Sequence, residues 1–138
     1  ATFFVVAEMM GFTGDPSYMT WSQLRAMAKA GMSIECHGRT HIDLTQVDYD
    51  HLVWQVLGCK EMIEQELGRR PRFVAYPTGG YNDQVIALFA SDNYWGGVTT
   101  VQDTLQESDK PFELKRLRVR GVTSVQELAE LLAWEPGG

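Results

Sequence analysis

Little in this chain is basic: 12 lysines and arginines stand against 18 aspartates and glutamates, for a formal net charge of −6. That balance argues against a nucleic-acid partner, which needs a basic face to meet phosphates. The densest basic group, Arg69-Arg70-Pro71-Arg72, reads as a turn from helix to strand rather than a stripe. Long apolar runs are missing as well. None approaches the ~20 residues that cross a bilayer, and no signal-peptide pattern opens the chain. Cysteine is scarce: Cys36 and Cys59 are too few for a disulfide scaffold, and each sits in an apolar pattern, so two buried thiols are expected. There are no repeats, low-complexity tracts or linkers, so the 138 residues form one domain with a single core. The first residues are Ala1-Thr2-Phe3-Phe4-Val5 with no initiator methionine, and an upstream segment is expected to have been removed.

What is present alternates between two periods. Thr2–Val6 is a short apolar, β-branched and aromatic run, the mark of a strand buried on both faces. Residues 7–19, with Gly11, Gly14 and Pro16, read as a loop. Thr20 and Gln23 form a capping box for a helix whose apolar face is Trp21, Leu24, Met27 and Ala28, and Gly31 ends it. Met32–Cys36 is a second strand. Leu52, Val56, Cys59, Ile63 and Leu67 step by three or four, so residues 49–67 form an amphipathic helix closed by Gly68. Phe73–Tyr76 is a third strand, and Pro77–Asp83 is its exit loop. A helix over Asp83–Ser91 follows, then a strand over Tyr94–Thr100 weakened by two glycines, then a strand from Leu114 to Val119. Ser124 and Glu127 open a last helix through Leu132 as another capping box. Strands alternating with helices imply an α/β fold with parallel strands.

Two of the three histidines, His37 and His41, lie four residues apart directly after the second strand. Loops at the C-terminal ends of parallel strands are where α/β proteins build their sites. On a helical turn this spacing puts both imidazoles on one side, able to share a metal, and Gly38 lets a loop do the same. Spacing alone leaves open two surface or hydrogen-bonded histidines. His51, at a helix start, reads as a surface residue.

The neighbours decide between these. HGRTHIDLT at 37–45, preceded by AGMSIE, resembles the His-Ser/Thr-x-x-His-Pro-Asp-Leu motif of the polysaccharide deacetylases, the family four carbohydrate esterases. In the same order, ATFFV resembles the strand after that family's first motif, ELGRRPRFVAYPTGGYND its third motif, and LKRLRV its fifth. The resemblance spans essentially the whole chain. It implies a distorted (β/α) barrel, incomplete at its N-terminus, over residues 1–138. It also implies a divalent metal, zinc with cobalt or nickel as alternatives, for which His37 and His41 supply two ligands. The implied activity is metal-assisted removal of acetyl groups from an N-acetylated glycan, and the implied location of the parent protein is extracytoplasmic. Peptidoglycan, chitin-like oligomers and O-acetylated xylan all remain open as substrates.

Three departures accompany the resemblance. The family's first motif, Thr-Phe-Asp-Asp-Gly, supplies the base and the third metal ligand, and it occurs nowhere in this chain. Ala75 stands where the third motif has an arginine, and Thr78 where it has a tyrosine whose backbone N–H holds the oxyanion. Arg116 stands in place of the fifth motif's acid histidine, where it can stabilise negative charge but not donate a proton. Asp43 matches the second motif's aspartate and is expected to brace its loop, while Glu35 points away from the histidines. Pro77, Gly79 and Tyr81 are expected to shape the groove floor. Trp95 carries two readings, stacking on a sugar and packing in the core, and Trp54 and Trp134 read as core or helix-docking residues. The rival to a deacetylase is a non-catalytic glycan-binding or structural domain, or an inactive fragment of an active enzyme. An open barrel would expose the Thr2–Val6 edge to a second copy of the chain.

Overall fold

Four short strands stand side by side in chain order: β1 (Thr2–Val5), β2 (Ser33–Cys36), β3 (Phe73–Ala75) and β4 (Gly96–Val98). Every neighbouring pair is parallel, in register Phe3 to Ile34, Cys36 to Val74 and Val74 to Gly97. Helices fill the connections: α1 (Trp21–Lys29), α2 (Tyr49–Leu67) and α3 (Asp83–Ser91), with α4 (Val125–Leu132) after the sheet. This is a computed structural model, and it describes residues 1–11 and 15–132. Gly14 and Trp134 lie outside the described residues. A sheet that adds each new strand beside the last is wound as a (β/α) barrel is, whereas a doubly wound sheet reverses its order. Among the described residues the sheet stays open, with β1 and β4 on its two edges.

Local chemistry sets the boundaries. The Thr20 and Gln23 box closes at 3.2 and 2.8 Å, and the Ser124 and Glu127 box at 3.1 and 2.6 Å. Asp48 and Asn82 cap α2 and α3 by accepting from the N–H groups of His51 and Val85. Gly68 ends α2 in the left-handed region at φ 68°, which costs a glycine little. Behind the sheet, Leu52, Val56, Cys59 and Ile63 from α2 meet Leu24, Ile34, Val74 and Phe89, all fully buried. Each such side chain contributes roughly 1.5–3 kcal/mol.

Three expectations need correction. Cys36 and Cys59 are not free thiols but a disulfide, with Cα atoms 6.2 Å apart. Cys36 on β2 and Cys59 on the buried face of α2 meet across the layer, a proximity that 23 residues of sequence separation conceal. Residues 114–119 do not form a strand. Leu114 makes a single parallel bridge to Val98, and the chain beyond it is irregular. Trp54 is exposed rather than core, with the Arg39 guanidinium 4.0 Å over its ring.

The two glycines of β4 are needed rather than merely tolerated. A Cβ on Gly96 would strike the Pro111 carbonyl, and one on Gly97 would overlap the Tyr76 hydroxyl. Tyr76 is buried, donates to the Phe112 carbonyl at 2.8 Å, and immediately precedes the Pro77–Gly79 turn. Gly97→Ala is therefore expected to cost about 1–3 kcal/mol through overpacking. The measurement is the urea midpoint at constant m, and an unchanged midpoint would mean that Tyr76 moves aside freely.

Candidate functional site

The loop after β2 is held on all sides before any side chain chemistry begins. His37 N–H donates to Val5 O at 2.8 Å, Ala7 N–H to Gly38 O at 3.1 Å, and Glu8 N–H to Arg39 O at 3.0 Å. Gly38 has φ 79°, and a Cβ there would lie 2.9 Å from Pro77 and 3.0 Å from Thr40 O, so the histidine loop packs directly on the β3 exit turn. Gln55, fully buried on α2, braces the other side. Its Oε1 accepts from Arg39 N–H at 3.1 Å and Thr40 N–H at 2.9 Å, and its Nε2 donates to Thr40 Oγ1 at 2.6 Å. Arg39 is in turn paired with Glu8 at 2.6 Å. Asp43 behaves as a brace, accepting from Thr45 N–H and Oγ1–H at 2.9 and 2.7 Å; these bonds hold its carboxyl below the usual range. Glu35 faces the opposite end of the sheet, where it accepts from the N–H groups of Arg72 and Phe73.

The two imidazoles meet, with ring centroids 4.9 Å apart and planes inclined by 63°. His37 Nδ1 lies 2.7 Å from Ala75 O. A carbonyl only accepts, so Nδ1 carries the proton and Nε2 keeps its lone pair. Burial is the main reason the His37 pKa is lowered, and the charges of His41 and Arg116 push the same way. The neutral imidazole with a free Nε2 is the form that binds a metal, and a carbonyl on the other nitrogen is the usual means of orienting it. The pair therefore fits a divalent ion as two of its ligands. Among the described residues, no group of three or more His, Cys, Asp or Glu is placed to hold a metal.

A cavity of about 540 Å³ opens in front of the histidines, and Thr78, Gly79, Thr100 and Arg116 also line it. Thr78 sits at φ 61°, a left-handed conformation rare for a β-branched residue. Its N–H donates to no group among the described residues. Gly79 follows at φ 89°, and a Cβ there would crowd Thr100 Oγ1 at 2.7 Å. Arg116 Nε–H donates to Thr99 O at 2.7 Å, which fixes the guanidinium at the cavity.

The cavity thus gathers His37, His41, Thr78, Gly79 and Arg116 from the expected set. Pro77 is buried beneath it against Gly38, and Tyr81 lies behind it, stacked on Tyr76 at 5.0 Å with its hydroxyl 3.3 Å from Glu113. Trp95 is elsewhere. It precedes β4 and so sits at the N-terminal ends of the strands, 58% exposed beneath the Arg72 guanidinium, and neither the sugar-stacking nor the core reading holds at this site. Sequence reasoning missed Thr100, Gln102, Arg118 and the brace Gln55. The first two follow β4, where the rule about C-terminal strand ends points. Gln55 is a polar residue inside the apolar stripe of an amphipathic helix, itself a signal of a buried hydrogen-bonding task.

The polysaccharide deacetylase family model matches residues 1–96. The chain belongs to the polysaccharide deacetylase family. Its fold is the (β/α) barrel of that family, of which the described strands form an open arc. Among solved structures it resembles the Streptococcus pyogenes deacetylase PplD in complex with acetate, at TM-score 0.87 and 28% identity over 95% of this chain and 57% of that one. It also resembles BC0361, a polysaccharide deacetylase from Bacillus cereus, at TM-score 0.82 and 25% identity over 96% of this chain and 41% of that one. Over 119 residues it is 25% identical to YxkH of Bacillus subtilis strain 168, covering 86% of this chain and 42% of YxkH. The chain therefore spans only part of the length of each relative.

Proposed function

We propose that this deacetylase-family domain removes acetyl groups, N-acetyl in preference to O-acetyl, from a carbohydrate polymer at the His37–His41 cavity. The observation that carries the reading is the pair itself: His37 held by Ala75 O with Nε2 free, beside His41, facing a cavity that Thr78 lines with an unengaged N–H. His37 and His41 would hold a divalent ion, zinc with cobalt or nickel as alternatives, which when bound polarises a carbonyl and acidifies water.

The remaining roles fall to the chain's own groups. The Thr78 N–H is free to donate to the oxygen of an acetyl group as it gains charge, and the left-handed turn presents it to the cavity. Arg116, anchored on Thr99 O, holds negative charge rather than passing a proton. No aspartate or glutamate lines the cavity among the described residues, so the reading requires a carboxylate base from outside them. In the family that carboxylate comes from the Thr-Phe-Asp-Asp-Gly motif. PplD, a relative solved with acetate, the acid that hydrolysis of an acetyl group releases, supports the same chemistry.

The test is acetate release from N-acetylglucosamine oligomers by a protein in which this domain follows a Thr-Phe-Asp-Asp-Gly segment. Release that a chelator stops and zinc or cobalt restores is expected. Ala75 and Arg116, in place of the family's arginine and histidine, favour a second reading, a glycan-binding domain without catalysis. Glycan binding with no acetate from N- or O-acetylated polymers would establish that reading instead.

A further inference from the structure

We infer that the polymer this site takes is anionic, held along a rail of three arginines, Arg116, Arg118 and Arg120, that leads from the histidine cavity into the hollow beside it. The inference rests on the glycan-processing reading of that cavity and adds the chemical class of its substrate. Arg116 and Arg118 both line the histidine cavity, while Arg118 and Arg120 both line the adjoining hollow of about 470 Å³. Gln102 is common to the two, so the surface is continuous.

Charge makes this arrangement unexpected. In a chain of net charge −6, the histidine cavity has two guanidiniums and no carboxylate among its described lining residues. The backbone N–H groups of Arg118 and Arg120 donate to Gln102 and Thr123, but neither guanidinium makes an ion pair or a hydrogen bond among the described residues. Most of the chain's other basic groups are paired: Arg25 with Glu66, Arg39 with Glu8, Lys60 with Asp92, Arg70 with Glu64, Lys110 with Glu107, and Lys115 with Asp103. The hollow does hold two acids, Glu127 and Glu130. Glu127 is committed to the start of α4, accepting from Ser124 N–H at 2.6 Å, and Glu130 accepts from Gln126 at 3.1 Å.

Guanidiniums grip carboxylate and phosphate oxygens through paired, charge-assisted N–H donors, and the uncharged hydroxyls of a neutral sugar are weaker partners. Three of them within five residues, beginning at the proposed reaction centre, suit a chain molecule that carries repeated negative charge. The shared chemistry is an oxyanion on the glycan, whether a uronate carboxylate or a phosphodiester between sugars.

Binding by the 138-residue chain tests this without requiring turnover. The probes are polygalacturonate for carboxylate, phosphomannan for phosphodiester, and the N-acetylglucosamine hexamer as a neutral reference, each titrated at low and moderate salt. At least one polyanion is expected to bind more tightly than the hexamer, with affinity falling as salt rises. Whichever polyanion binds more tightly identifies the source of the charge. An Arg118→Gln, Arg120→Gln double variant is expected to lose roughly tenfold or more in that affinity and to lose far less for the hexamer. Hexamer binding equal to both polyanions, or a double variant that retains full polyanion affinity, would overturn the inference. A His37→Ala variant separates the two ideas, because the rail excludes that residue. If the longer protein releases no acetate while polyanion binding survives His37→Ala, the deacetylase reading fails and the rail stands.

Discussion

Residues 1–138 by themselves are expected to release acetate from N-acetylglucosamine oligomers at least ~10⁴-fold more slowly than the same domain preceded by a Thr-Phe-Asp-Asp-Gly segment. Amide hydrolysis needs a base to activate water, donors to hold the oxyanion, and an acid for the departing amine. The cavity offers the donors, through Thr78 N–H and the Arg116 guanidinium. Among the described residues it offers no carboxylate, and Arg116 stands where the resemblance puts a histidine as acid. A missing base costs roughly 100- to 10,000-fold, and the third metal ligand that the same segment supplies is lost with it, while the missing acid slows both proteins alike. Even the protein that carries that segment is expected to be slow, since Ala75 stands where the resemblance implies an arginine that orients the base. The measurement is initial acetate release by both proteins with zinc, with cobalt and with chelator. Brisk, chelator-sensitive turnover by residues 1–138 would sink this account, because it would require a catalytic carboxylate where the described residues place none.

How much of this was legible in advance depended on range along the chain. The helices over Tyr49–Leu67 and Asp83–Ser91 coincide with their sequence expectation, because periodicity and caps are local properties. The histidine pair was legible only in part: its place after a parallel strand is a local property, but spacing left two surface histidines open, and the resemblance of 37–45 to the family motif chose the shared site. What failed was long range. The Cys36–Cys59 bond depends on how α2 packs over β2, and no pattern within either segment records it. Residues 114–119 have the composition of a strand, yet only Leu114 keeps a bridge to β4, and the Arg116 backbone N–H donates past the end of that strand to Val101 O. The arginines that this irregular path carries past the histidines then line the cavity, a role that strand periodicity did not suggest. Trp95 shows the converse. Its residue type suits sugar stacking, but it precedes β4, and position along a parallel strand decides which end of the sheet a side chain serves.

Zinc binding should depend on His37 and His41 together. The His37→Ala, His41→Ala double variant is expected to bind zinc at least ~100-fold more weakly than the wild-type chain. The wild-type affinity should itself be modest, because the described residues bring two imidazoles together and no third ligand. His37 arrives with Nδ1 committed to Ala75 O, which orients its ring in advance, so little ordering remains to be done when the ion binds. His41 is exposed, and its place beside His37 depends on the loop that Gln55 and Gly38 hold in shape. His51→Ala is the reference, since that histidine lies on the surface of α2 and should leave the affinity unchanged. Calorimetric titration at neutral pH, in a buffer that does not chelate, measures all three proteins. Equal affinity for the wild type and the double variant would show that the histidines are not ligands, and a loss on His51→Ala as large as that of the double variant would show that the ion is not held by the pair alone. If instead the double variant loses zinc while the Thr-Phe-Asp-Asp-Gly-containing protein binds it more tightly than residues 1–138, two conclusions follow. The pair is then half of a metal centre, and the carboxylate that completes it lies in that segment.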